Sequence, residues 1–316
     1  VAAVGDLIAN TGYSELALVS LSSSDHSEIE GILRSLLTNP PHPHLSLSLP
    51  SLRMDNFSVT LASLLATEKR TGLTFAPEAG SQRLRDAINK QLTEEDVLRT
   101  AEAAFGQGWH SLKLYFMVGL PTETMEDVEA IVHLARKVMA IGRKHQGARA
   151  AVNCSVATFI PKPQSAFQWA PQATAAELAP KQDLLRRGLR GGIHFSWHDP
   201  ATSQLEAMLA RGDRRLAPVM LRAWKQGAKL DAWREHFRPD VWQAALEAEG
   251  LDAAFYAHRQ RPLDETLPWG HIDAGVDAAF LAQEYGRALT GEATPDCHVD
   301  GGCNLCGIRE RFGAVC

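Results

Sequence analysis

The chain has 316 residues, 45% hydrophobic and 22% charged, with a formal net charge of −5 and a pI near 6.2. That length buries a substantial core, as one large domain or two ordinary ones. The acidic balance excludes a global basic field for nucleic acid and leaves only a local patch open, and no run of about 18 apolar residues offers a membrane span.

The opening stretch, VAAVGDLIANTGYSEL, has neither an initiating Met nor a basic segment ahead of an apolar one. Val1, Val4 and Leu7/Ile8 fall on one helical face, which predicts an amphipathic helix and not a signal peptide. A chain that opens inside a helix reads as a fragment of a longer one. Strands are predicted at ELALVSL (15–21), HLSLSL (44–49), GLTFA (72–76), SLKLYFMV (111–118) and VNCSVATFI (152–160). Helical patterns fall at 27–38, 57–68, 94–106 and 124–142. Short, apolar, turn-bounded strands alternating with helices predict an α/β fold with a parallel sheet covered on both faces, a barrel or a doubly wound layer. The segment 170–180, APQATAAELAP, reads as a linker entering another helix. Residues 200–262 read as helices rich in tryptophan (Trp224, Trp233, Trp242). We expect a partial parallel (β/α) barrel over 1–195, a mainly helical extension over 196–270 and a Cys-rich segment over 271–316.

Function in a parallel α/β sheet collects where strands end. The expected strand ends carry SSSDH (22–26), PSLRMD (50–55), PEAGS (77–81), GLPTET (119–124) and PKPQSAFQW (161–169). Each has a plain alternative: Ser, Asp and Thr cap helices, acidic residues favour helix starts, and prolines shape loops. Five polar ends on one sheet edge favour a ligand site. Four of the five cysteines, Cys297, Cys303, Cys306 and Cys316, fall in the last twenty residues with spacing C-x5-C-x2-C-x9-C. Without a secretory signal this points to a reducing, cytoplasmic setting and to Zn²⁺ or an iron–sulfur cluster, with His298 read either as a bystander or as a replacement for one cysteine. The alternative is a set of free cysteines in a frayed tail. Cys154, inside an apolar strand, is expected to be a buried small side chain. His271 with Asp273, and His198 with Asp199, read equally as proton donors or as helix caps.

The segment FMVGLPTETMEDV resembles the radical SAM superfamily, whose members cleave S-adenosylmethionine at a [4Fe–4S] cluster, and is close to the methylthiotransferase-like members. PEAGSQRLRDAINKQLTEED is similar to their fourth strand end and the two helices after it, and the order agrees over residues 1–170. FIPKPQSAFQW, WHDPATSQLEAMLARGDRR, PWGHIDAGV and the cysteine cluster resemble an uncharacterised bacterial family of radical SAM proteins with an N-terminal cobalamin-binding domain and a C-terminal extension. One departure is serious: the superfamily's Cys-x-x-x-Cys-x-x-Cys occurs nowhere in this sequence. Truncation ahead of Val1, which would fall in the helix after that loop, is the expected cause. The chain as it stands cannot build that cluster.

The resemblance implies site residues. Ser22, Ser23 and Ser24 would meet the amino-acid end of S-adenosylmethionine, and Ser51 and Arg53 a carboxylate. Glu78 would accept from the ribose diol, with Gly80 and Ser81 beside it and Gly80 letting backbone approach the nucleoside; its plain alternative is a helix-start carboxylate. Met117, Val118 and Gly119 would face the adenine, with Phe159, Ile160 and Pro161 closing it from the next strand. The site must be dry to protect a 5′-deoxyadenosyl radical. The function implied is a cobalamin-assisted radical modification, such as methylation, of an unknown substrate, supplied with electrons by a flavodoxin- or ferredoxin-type donor. The alternatives are an RNA-modifying, methylthiotransferase-like enzyme and a non-catalytic, metal-stabilised binding module.

Overall fold

The computed structural model of the chain describes residues 1–20, 26–38, 40, 45–48, 63–64, 73–297 and 302–313. Helix α1 (Ala2–Thr11) ends at Gly12, whose φ of 70° is open to glycine at no steric cost. Strand β1 (Glu15–Ala17), helix α2 (Ile29–Thr38) and strand β2 (Ser46–Ser48) follow, and β1 pairs with β2 in parallel, Leu16 opposite Leu47. The second sheet holds β3 (Leu73–Glu78), β4 (Ser111–Val118), β5 (Ala151–Thr158) and β6 (Ile193–Trp197), all parallel and in sequence order. Its crossovers are α3 (Gln82–Ala87) with α4 (Glu94–Gly106), α5 (Met125–Gln146), and α6 (Ala175–Gly188).

Three of these helices start where the sequence offers Thr-x-x-acid. Thr93 with Asp96, Thr124 with Asp127 and Thr174 with Glu177 each form a reciprocal capping box, satisfying two backbone N–H groups that have no partner inside the helix. Strand β4 alternates in burial. Leu112, Leu114, Phe116 and Val118 are buried under the helices, whereas Lys113, Tyr115 and Met117 on the other face are half-buried. Helices therefore fully cover only one face of β4; the expectation of burial on both holds for one.

The expected barrel needs correction in two respects. The five expected strands lie in two sheets among the described residues, with no closed barrel, because no ladder joins β2 to β3. The predicted helix at 57–68 lies outside the described residues except for 63–64. One apolar cluster nonetheless unites the two sheets, with Leu33, Leu36, Leu45 and Leu47 packed in the same core as Phe75, Leu114 and Val156. The second correction is β6, an unexpected sixth strand that runs across residue 195, where the barrel was expected to end.

Helices α7 (Pro200–Ala210), α8 (Leu216–Lys225), α9 (Pro239–Ala248) and α10 (Ala253–Ala257) have a cluster of their own, built on Met208, Val219, Ala223, Leu246 and Tyr256. Helix α11 (Ala278–Thr290) returns to the sheet, packing on α3 and on the 3-10 turn Ala166–Trp169. Its Leu281 and Tyr285 join Ala79, Leu84, Leu120, Phe159 and Trp169 in one apolar cluster at the C-terminal edge of the strands. Helix α12 (Ile308–Phe312) closes the described chain. Among the described residues, no helix is long and apolar enough to cross a membrane.

Candidate functional site

Strand β3 does not end cleanly. Its register with β4 shifts between Phe75 and Glu78, and Glu78 takes a φ of 67°. A glutamate gains nothing sterically from that region, so surrounding structure holds it there. The two following strand ends repeat the pattern, with Thr122 at φ 64° and Gln164 at φ 57°. Strained backbone thus recurs after three adjacent strands, all on the C-terminal edge of the sheet.

A cavity of about 580 Å³ opens on that edge. Glu78, Met117, Thr158, Phe159, Ile160 and His198 bring to it the ends of β3, β4, β5 and β6, and Lys90 and Leu120 add to its wall. Burial raises the Glu78 carboxyl above the usual carboxylate range, and Lys90, whose Nζ lies 3.6 Å from Glu78 Oε1, opposes that rise. The Thr158 hydroxyl on the same wall is buried without a hydrogen-bond partner, so the cavity holds unspent polar capacity. Met117, Leu120, Phe159 and Phe167 supply apolar faces.

Of the residues expected to bind cofactor, Glu78, Met117, Phe159 and Ile160 meet in this cavity. Val118 is buried in the helix-side core, and Pro161 is buried after β5. Gly80 serves a different neighbour from the one expected. A Cβ there would lie 2.2 Å from Ile131 N and 2.7 Å from Asp127 O, so its missing side chain admits the backbone of α5 and not a nucleoside. Ser81 is the N-cap of α3, accepting from Leu84 N–H at 3.1 Å while its hydroxyl donates to Asp127 Oδ1. Gly119, at φ 81°, packs against Ala173, where a Cβ would come within 2.9 Å. Its N–H donates to Glu123 Oε1 at 2.8 Å, and Lys181 Nζ reaches the same oxygen at 2.6 Å. Burial raises the Glu123 carboxyl and Lys181 opposes it; Oε2 has no partner. The GLPTE segment is thereby latched to α6.

Asp127 is the second fixed point. It accepts from Thr124 N–H at 2.8 Å, from the Ser81 hydroxyl and from Arg83. Burial disfavours its charge, but the hydrogen bonds from Ser81, Thr124 and Arg83 outweigh that and hold the carboxyl below its usual range. One carboxylate therefore ties the loop after β3 to the start of α5.

The undecided histidines separate. Asp199 caps α7, accepting from Ala201 N–H at 2.9 Å, while His198 lines the Glu78 cavity. His271 and Asp273 line another groove, of about 980 Å³, beside Trp169 and Trp269. Ser22, Ser23, Ser24, Ser51, Arg53, His298 and Cys316 lie outside the described residues. Cys297, Cys303 and Cys306 are half-buried, and among the described residues no group of three or more His, Cys, Asp or Glu side chains could hold a metal ion. The turn after Cys303 is anchored instead by backbone: Asp277 N–H donates to Cys306 O at 2.8 Å, and Gly307 at φ 94° lies against the Asp277 carboxyl. Cys154 is buried and its thiol is pushed up to about 12 by burial.

Sequence reading missed Lys90 and Thr158. The visible signal for Lys90 was the Asn89-Lys90 pair in the break between α3 and α4, where Asn89 takes a φ of 52°. Thr158 gave none, because its lack of a partner is a property of packing.

Residues 1–135 match the family model of the radical SAM superfamily. That match includes Glu78, Gly80, Ser81 and Met117–Gly119, and stops short of Phe159–Pro161. Over 207 residues the chain is 34% identical to an uncharacterized protein of Methanocaldococcus jannaschii, an alignment covering 65% of this chain and 43% of the relative. The chain spans less than half of that relative's length. The radical SAM match coincides with the helices and strands that carry the Glu78 edge of the cavity.

Proposed function

We propose that this chain supplies the S-adenosylmethionine-binding part of a radical SAM enzyme, with the adenosyl portion held at the C-terminal edge of the four-stranded sheet. The observation that carries this reading is the convergence of Glu78, Met117, Phe159 and Ile160 on one cavity, inside and just beyond the radical SAM match. The donor set fits the group. A carboxylate accepts from two hydroxyls, the buried Thr158 hydroxyl lacks a partner, and Met117, Phe159 and Ile160 suit a flat apolar base.

S-adenosylmethionine supplies the radical chemistry, and this chain's residues bind, orient and exclude water. Glu78 would hold the ribose hydroxyls, Lys90 keeping part of its charge balanced, and the Gly119–Glu123–Lys181 latch would fix the turn after β4. Among the described residues nothing fits the [4Fe–4S] cluster: the sequence has no Cys-x-x-x-Cys-x-x-Cys, Cys154 is a buried core thiol, and no three His, Cys, Asp or Glu side chains converge. A cobalamin-assisted methylation is the finer reading, supported by the resemblance of the C-terminal segments to cobalamin-associated radical SAM proteins.

Titration calorimetry with S-adenosylmethionine tests the binding role. Saturable binding that Glu78→Gln weakens at least tenfold supports it, on the order of one charge-assisted hydrogen bond. Equal affinity in both proteins would remove Glu78 from the site.

A further inference from the structure

Charge is unevenly distributed along this acidic chain. Residues 211–238 hold eight Lys and Arg (Arg211, Arg214, Arg215, Arg222, Lys225, Lys229, Arg234, Arg238) against three acidic residues (Asp213, Asp231, Glu235), a net of +5 within a chain of −5. Half of these cations are spent: Arg211 is buried, Arg215 pairs with Asp213 at 2.6 Å, Arg222 with Glu249 at 2.6 Å, and Arg238 with Asp240, just past this stretch, at 2.9 Å. Lys225, Lys229 and Arg234 have no ion pair among the described residues, and all three are exposed.

Within that stretch, the eleven residues 224–234 hold two exposed indoles, Trp224 at 56% and Trp233 at 61% exposure. Burying an indole is among the larger apolar gains available to a fold, so two left out in one short segment require a reason. They are held there by structure. Leu216, Val219 and Ala223 bury the inner face of α8, and Ala228 is buried just beyond it, bonded through its N–H to Ala223 O at 3.0 Å. Trp233 N–H donates to Leu230 O at 2.9 Å, and Leu230, a bulky residue, takes a φ of 62°. Backbone strain at a bulky residue is the kind found at ligand clamps. Lys229 Nζ lies over the Trp224 ring, 5.7 Å from its centroid, so cation and indole already meet in a cation–π contact on one face of the ring.

We propose that the outer face of α8 and the turns after it bind a single-stranded nucleic acid, the bases stacking on Trp224 and Trp233 and the phosphates meeting Lys225, Lys229 and Arg234. Flat rings interleaved with unpaired cations are the two elements that single strands need, and neither reads base identity. A membrane surface suits this face less well. The inner side of the ten-residue helix, with Leu216, Val219 and Ala223, is already spent on the protein core and is not free to enter a bilayer. The proposal does not depend on the S-adenosylmethionine reading, whose cavity lies on the sheet edge.

The test uses the whole chain and a uridine oligonucleotide of roughly ten nucleotides, followed by tryptophan quenching and by anisotropy of a labelled strand. Saturable binding with quenching is expected, with a log–log salt slope near −2 for three phosphate contacts. Trp224→Ala and Trp233→Ala should each weaken binding by about tenfold. Both rings are exposed, so melting curves should stay unchanged. Lys225→Gln with Lys229→Gln should flatten the salt slope. The proposal fails if a duplex or polyglutamate binds as tightly as the single strand, if neither Trp variant changes affinity, or if only anionic vesicles bind.

Discussion

Replacing Gly80 by alanine tests the reassignment of that residue from cofactor contact to packing. The added Cβ would meet Ile131 N at 2.2 Å, Ala130 C at 2.6 Å and Asp127 O at 2.7 Å. All three are backbone atoms of α5, so no side chain can swing aside, and the helix or the loop must move by about 1 Å to restore ordinary contact. Overpacking of a tight site costs roughly 1–3 kcal/mol. The movement also pulls Asp127 from Ser81 and Arg83, hydrogen bonds to a charged group worth about 1.5–3 kcal/mol each when lost. The two effects overlap, and a loss of about 3–5 kcal/mol is expected, a large fraction of a domain's usual 5–15 kcal/mol. Urea denaturation followed by circular dichroism measures it. A variant within about 0.5 kcal/mol of the parent, with S-adenosylmethionine affinity selectively lost, would refute the packing role and restore the nucleoside one.

Asp127→Asn should cost about 2 kcal/mol at neutral pH. The parent carboxyl lies below its usual range, so its contribution is full above the unfolded value of 3.8 and disappears as pH falls through the folded one; denaturant midpoints measured against pH should show that limb in the parent and not in the variant. Glu78 has the opposite sign. Its carboxyl is raised, so ionisation disfavours the fold once pH rises above 4.5 and through the folded value; Glu78→Gln should be no less stable than the parent at neutral pH, and a stability loss above about 1 kcal/mol would contradict this. Cys154, whose thiol is pushed up to about 12 inside the core, should escape iodoacetamide at pH ~8 until the chain is unfolded. Peptide mass spectrometry before and after denaturation decides it.

Local pattern carried the sequence reading furthest. Strand β4 and helix α4 have the predicted bounds because eight residues of Ser111–Val118 and thirteen of Glu94–Gly106 keep one period between clear turns. Strand β6 carries a strand's alternation, Ile193, Phe195 and Trp197 against His194 and Ser196, but over only five residues and directly after two glycines, which read as a loop. The site was legible only as far as strand ends are legible. Glu78, Met117, Phe159 and Ile160 could be placed on one edge by topology, whereas Lys90 joins them only because the chain breaks between α3 and α4. The sequence shows a glycine at position 80, but the α5 backbone it admits is a fact of packing.

Helix α11 gives the chain a long wait during folding. The apolar cluster over the strand ends needs Leu281 and Tyr285, and Thr294 is bonded on both sides to the α3–α4 break, its N–H to Asn89 Oδ1 and its carbonyl to Gln91 Nε2, both at 3.0 Å. Those partners are separated by about two hundred residues of chain, so the loop they close forms late and slowly. Strands β3 to β5 can pair during synthesis well before their C-terminal edge is covered. Until α11 emerges, Leu84, Leu120, Phe159 and Trp169 lack their last apolar partners, and the edge that holds the candidate site is also where a nascent chain would be most prone to capture by chaperones or by other copies of itself.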